Sequence, residues 1–320
     1  MIKIAIFHAG SRQEALPADL PRLLEARQGT LWVDIGGPEE EDVRIMREVF
    51  RFHPLAIEDT LNQQQRPKVE EYADHLFLIL NPMSFDQGQL DLRELDLFVG
   101  ANYLVSVHSG EEPTLERVHQ RLAEAGSAIP ISPSYLMYLI MDVVIDNYFP
   151  LLDTIGEEVE RIEDAVLAEP SRELLNRLFH IKRVLLEMWR IVWPQRDVFN
   201  KLAYHDLPFI DQATLRHYLR DVSDHLLWIA DMVSTFRDTL SSIMDLYMSA
   251  ISNRLNAVVN RLTVFALVIG VMTVVGGFYG MNFAQTWPPF AAWWGVPFVL
   301  GLMVVLTAAL LVIFRKLGWY

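Results

Sequence analysis

From Leu262 to Phe314 the chain carries no Asp, Glu, Lys, Arg or His. One bilayer crossing by a helix takes roughly 20 apolar residues, so this run is too long for one span and fits two. The break between them, GMNFAQTWPPFAAWWGVP, holds paired prolines, glycines and the tryptophans Trp287, Trp293 and Trp294. Those residue types suit a turn at a membrane–water interface. The pattern predicts a first span at about 262–281 and a second at about 296–314. Arg254 and Arg261 precede the first, and Arg315 and Lys316 follow the second. The positive-inside rule then puts both ends of the pair in the cytoplasm and the GMN turn outside.

The remainder is strongly acidic. The whole chain has 27 basic and 41 acidic residues; setting aside Arg315 and Lys316 leaves 25 basic against 41 acidic before Leu262, a formal −16. Such a balance disfavours nucleic acid as a partner and favours cations. There is no cysteine, which excludes disulfides, thiolate metal sites and cysteine nucleophiles. The opening MIKIAIFHAG alternates like a strand and lacks the apolar core of a secretory signal, so the bulk of the chain is expected in the cytoplasm.

Residues 1–132 mix short β-like runs (KIAIF, TLWVDI, HLFLIL, ELDLFV, NYLVSVH) with helical ones (PEEEDVRIMREVF, PTLERVHQRLAEA), and Gly100–Asn102 joins two of the runs as a hairpin would. An α/β or α+β domain is expected there. Residues 133–208 read as an acidic helical pair broken at Pro170, with Ser171 placed to cap the second helix. Glu157, Glu158, Glu160, Glu163 and Asp164 crowd the tip of that pair, either as a solvated face or as a cation-holding one. From Phe209 to Ile269 there is neither proline nor glycine. Leu215, Leu219, Val222, Leu226, Ile229, Val233, Phe236, Leu240, Ile243, Tyr247 and Ala250 fall at alternating steps of four and three, a heptad seam. The stalk, 209–261, is expected to run unbroken into the first span, on the order of 110 Å to Asn282 at 1.5 Å per residue. Such a rod needs companions, and identical subunits are the simplest supply.

Asn253, Asn256, Asn260, Thr263, Gly270, Thr273, Gly277 and Gly280 recur at helical spacing along the stalk end and the first span. One face of the helix is therefore polar or small. Close packing of helices is one explanation for the glycines. The other is a water-filled path between several copies, lined by amides, hydroxyls and carbonyls. Mg²⁺ gives up its water reluctantly, so outer-sphere hydrogen bonds from uncharged oxygens suit it, with Asn282 at the outer mouth. Val259 and Leu262 on the same face would make an apolar constriction able to gate by dewetting.

YGMNF (279–283), a short loop and a second span ending in basic residues resemble the CorA family of magnesium and cobalt channels. So do HPLAIEDTLNQQQRPKVEEY (53–72), WPQRDV (193–198) and the stalk 218–256, which extends the likeness over essentially the whole chain. The resemblance implies a funnel-shaped homopentamer: an α/β cytoplasmic domain, a long-helix stalk, and a two-span domain (262–320) in the cell's inner membrane. Five first spans would line the pore. Gly280, Met281 and Asn282 would hold the hydrated ion at its mouth, with Gly277, Thr273, Gly270, Leu262, Val259 and Asn256 below. It further implies closure by cytoplasmic Mg²⁺ bridging acidic subunit faces, with Asp221 on the stalk and a partner near Asp86 on the α/β domain. Mg²⁺ is then cargo and regulator, and no further cofactor is implied. The loop 284–295 has no acidic residue, so cation capture there cannot use carboxylates.

Two other functions fit the same architecture. The intact GMN argues against a zinc transporter of the related ZntB branch, and a non-conducting, membrane-tethered scaffold predicts no flux. An enzyme is not indicated: the chain has no P-loop, GxGxxG, HExxH or nucleophile elbow, and His180, His217 and His225 lack partners at ligand spacing.

Overall fold

Strands β1 (Ile2–His8), β2 (Ser11–Glu14), β3 (Thr30–Gly36), β4 (Lys68–Glu71), β5 (Leu76–Leu80), β8 (Leu95–Val99) and β9 (Tyr103–His108) form one sheet in the order β2-β1-β3-β9-β8-β5-β4. Only β3 and β9 run parallel, with Val33 opposite Val105; the other neighbours are antiparallel. The five β-like runs of the sequence are β1, β3, β5, β8 and β9. LFLIL and LDLFV are buried along their whole length, as strands covered on both faces must be. α1 (Leu20–Ala26), α2 (Glu40–Glu48), α3 (Pro54–Leu61) and the link between the last two cover one face through Leu20, Met46, Phe50, Phe52 and Ile57 on Val33, Phe77 and Phe98. α4 (Pro113–Ala125) and α5 (Pro133–Asp146) cover the other, where the His119 ring stacks 4.1 Å from Trp32. The β8–β9 hairpin turns at Gly100, where a Cβ would lie 2.3 Å from the Tyr103 ring. A separate hairpin pairs β6 (Met83–Asp86) with β7 (Gln89–Leu92).

This computed structural model describes residues 2–8, 11–86, 89–125, 131–281, 287–289 and 292–319. They belong to two compact units, Met1–Glu163 with Glu173–Ser241, and Asp164–Arg172 with Ser242–Tyr320.

In the first unit Ser132 caps α5, its hydroxyl accepting from the Tyr135 N–H at 3.1 Å, with Pro133 opening the helix. α6 (Tyr148–Ala168) follows, and its acidic tip is partly neutralised: Arg161 pairs with Glu157 at 2.7 Å and Arg177 with Glu158 at 2.7 Å. The run Pro133–Ala168 is long and apolar enough to cross a bilayer, yet 61% of its most apolar window is buried inside the protein, so it serves the core. α7 (Arg172–Tyr204) carries Pro194 in its interior.

α8 runs from Gln212 to Gly280 as one helix of 69 residues. The Asp211 carboxylate accepts from the Thr214 N–H at 3.2 Å at its start. From Leu215 to Tyr247 every seam residue except half-buried Phe236 is buried, and the chain itself does the burying. Tyr138 of α5 packs on Tyr218, Phe149 of α6 on Trp228, and Arg237 lies over Trp189 of α7. A Cβ on Gly156 of α6 would come within 3.1 Å of Phe236. The seam is thus that of a helix packed along other helices, and α5, α6 and α7 of the same chain are among those that fill it.

In the second unit the Tyr247 hydroxyl donates to the Ser171 carbonyl at 3.3 Å, and Arg254 pairs with Glu169 at 3.6 Å. Beyond Arg254 the helix is bare, with Leu255, Val258, Val259 and Leu262 each at least 46% exposed. α9 (Gly295–Lys316) joins it near Val264.

Candidate functional site

The last third of α8 has two faces of different character. Asn260, Thr263, Val264, Val268, Val271, Val275 and Tyr279 are the buried or half-buried residues from 255 to 281. Except for Thr263 they fall on one side of a 3.6-residue helix, the side that meets α9. There a Cβ on Gly276 would touch Met303 at an ordinary 3.5 Å, and the Tyr279 hydroxyl donates to the Trp287 carbonyl at 3.0 Å. The sequence reading did not single out that last bond, which ties the helix end to the following loop; the clustered tryptophans were the only hint of it.

Asn256, Val259, Leu262, Gly270, Thr273, Gly277 and Gly280 lie on the opposite side, all exposed. A Cβ added to Gly270, Gly277 or Gly280 would meet nothing within 4 Å. Within the chain, helix packing therefore accounts for Gly276 and leaves these three glycines unexplained. The Thr273 hydroxyl donates to the Ile269 carbonyl at 2.8 Å, and Thr263 does the same to Val259 at 2.9 Å. With the proton spent on the helix, the hydroxyl oxygen turns its lone pairs outward as an acceptor. A bare stripe of oxygens and small residues can accept hydrogen bonds from the water shell of a cation. Gly280 ends the helix and Met281 follows it, 54% exposed. Asn282 lies outside the described residues.

Asp221 is exposed on α8 between buried Leu219 and Val222, and has no ion-pair partner among the described residues. Its neighbour Arg220 instead lies 5.4 Å over the Tyr204 ring. Asp86 ends β6, and its side chain lies outside the described residues. Among the described residues no three His, Asp or Glu side chains gather as a metal cluster would need.

The family model described as "CorA-like Mg2+ transporter protein" matches residues 27–316. The chain belongs to the CorA-like family. The cobalt/magnesium transport protein CorA of Thermotoga maritima is 35% identical over 293 residues, covering 90% of this chain and 83% of its own length. The protein of the same name from Methanocaldococcus jannaschii is 26% identical, over 90% and 91% of the two chains. The complete structure of the CorA magnesium transporter from Methanocaldococcus jannaschii superimposes with a TM-score of 0.85 at 24% identity, covering 100% of this chain and 99% of that one. The CorA-like fold is thus the one built above: an N-terminal α/β domain, a long helix and C-terminal apolar helices. CorA-like membership also places the chain among transporters and gives no indication of catalysis.

Proposed function

We propose that copies of this chain, five by the family's pattern, surround a water-filled path and let Mg²⁺, and Co²⁺, enter the cell down the electrochemical gradient. The observation that carries this reading is the stripe of small and oxygen-bearing residues within Asn256–Gly280, bare on the side of α8 away from α9, whose glycines no contact within the described residues explains. In water or lipid a bare glycine-rich face gains nothing, whereas around an axis it leaves room for a hydrated ion. Uncharged acceptors can hold the ion's water shell without binding it so tightly that it stays. Asn282 makes the first polar contact at the outer mouth, and Val259 and Leu262 form the apolar constriction below. Both termini stand in the cytoplasm of an inner-membrane protein, as the flanking arginines and lysine suggest.

No reaction is needed to drive entry. A divalent ion moving inward across 100 mV gains about 4.6 kcal/mol, twice the single-charge value. Cytoplasmic Mg²⁺ closes the path by bridging acidic faces of neighbouring subunits, with the exposed Asp221 and the β6 end at Asp86 as the two sides. The test is Mg²⁺ uptake into liposomes holding purified protein, in which Asn282→Ala is expected to cut flux at least tenfold. A scaffold would show no flux in either protein, and a ZntB-like transporter would move Zn²⁺ in preference to Mg²⁺ with a dependence on an imposed pH gradient.

A further inference from the structure

On the α9 side of α8 a cavity of about 430 Å³ opens between the two helices, lined by Arg261, Val264, Phe265, Val268 and Leu311. Its size falls in the range of single-ligand sites. Its exposed walls are wholly hydrocarbon, Arg261 lining it with its aliphatic stem. The cation stands at one end: Arg261 is one turn before Val264 and Phe265, at the cytoplasmic limit of the charge-free run. α9 is antiparallel to α8 here, so Arg315 lies one turn beyond Leu311 and comes to the same level, followed by Lys316. Phe314 stacks on Trp319 at 5.2 Å, an aromatic pair of the kind that marks the headgroup layer. Arg254 is paired with Glu169, but Arg261, Arg315 and Lys316 have no carboxylate partner among the described residues.

We infer that this groove is a binding site for one anionic phospholipid of the cytoplasmic leaflet. An acyl chain lies along Val264, Phe265, Val268 and Leu311, and the phosphate is held by Arg261, with Arg315 and Lys316 beside it. The charge pattern selects the occupant. A zwitterionic lipid would fill the groove equally well but would leave three cations at the headgroup level without a counter-charge. The site is separate from the oxygen-lined stripe, which lies on the far side of α8, and its occupancy does not depend on whether ions flow there.

Native mass spectrometry of the purified full chain, offered phosphatidylglycerol and phosphatidylcholine in equal amounts, tests it. Each basic residue near an anionic surface contributes about a fivefold preference. The intact protein is therefore expected to retain phosphatidylglycerol at least tenfold better, Arg261→Gln to lose about fivefold of that preference, and Arg261→Lys to keep it. Val268→Trp, which fills the groove and leaves the charges, should lower retention of both lipids. Equal retention of the two lipids by the intact protein, or Arg261→Gln indistinguishable from it, would overturn the inference. So would disulfide cross-linking of Val268→Cys between copies, which would show the groove covered by protein. Unchanged Tm and oligomer mass in the variants separate loss of the site from loss of the fold.

Discussion

Asp96 lies in the middle of β8, fully buried beside Thr60 of α3, whose hydroxyl also donates to the Ala56 carbonyl at 2.9 Å. Glu94, two residues earlier on the same strand face, accepts from the Gln64 and Gln65 N–H groups at 2.8 and 2.6 Å. Burial first, and then the charge of Glu94, hold Asp96 well above the usual carboxylate range. In the unfolded chain an aspartate loses its proton near pH 3.9. Above that pH the native state binds the extra proton, and stability falls as pH rises towards the raised native value. Asp96→Asn removes the titration. Its Tm in detergent should vary less between pH 5 and 9 than that of the intact protein, the variant gaining on it as the pH rises. Parallel Tm–pH curves for the two proteins would show that Asp96 does not carry this effect.

The elements most visible in the sequence were those whose period repeats. β5 and β8 showed as apolar runs and α8 as a helix free of proline and glycine. β2, with SRQE exposed throughout, and β4 have no alternation to read; they are strands because a neighbour offers an edge. α3, at eight residues, is too short for an apolar stripe to stand out. The same logic divides the site. The stripe on α8 was legible because helical spacing translates directly into a face, and the structure separates it from Gly276, which spacing alone could not do. The companion of the heptad seam was not legible, since period says that a partner exists and not which chain supplies it. If the stripe lines a path, side chains added there should matter more than the same additions elsewhere. Gly277→Val on α8 is expected to lower Mg²⁺ flux at least tenfold, and Gly301→Val on α9, where a Cβ also meets nothing within 4 Å, to leave it within twofold. Equal effects of the two in the liposome assay would remove the distinction between the faces.

Across the whole molecule, an acid excess of −16 before Leu262 disfavours close approach of identical surfaces unless cations intervene. Asp221→Asn takes away a carboxylate that such a cation would bridge. The Mg²⁺ concentration that halves flux should then rise at least fivefold or inhibition should vanish, and the gain in Tm on adding Mg²⁺ should shrink with it. An unchanged inhibition curve would take Asp221 out of regulation. The stretch Leu255–Leu262 has a further consequence. These eight residues keep their backbone hydrogen bonds but make few side-chain contacts within the chain, and helix that lacks packing opens locally at lower free energy than helix that has it. A solitary protomer, diluted away from its fellows, should fray at this segment and be nicked by trypsin after Arg254 and Arg261, while concentrated protein is spared, so that the digestion pattern itself becomes a gauge of assembly.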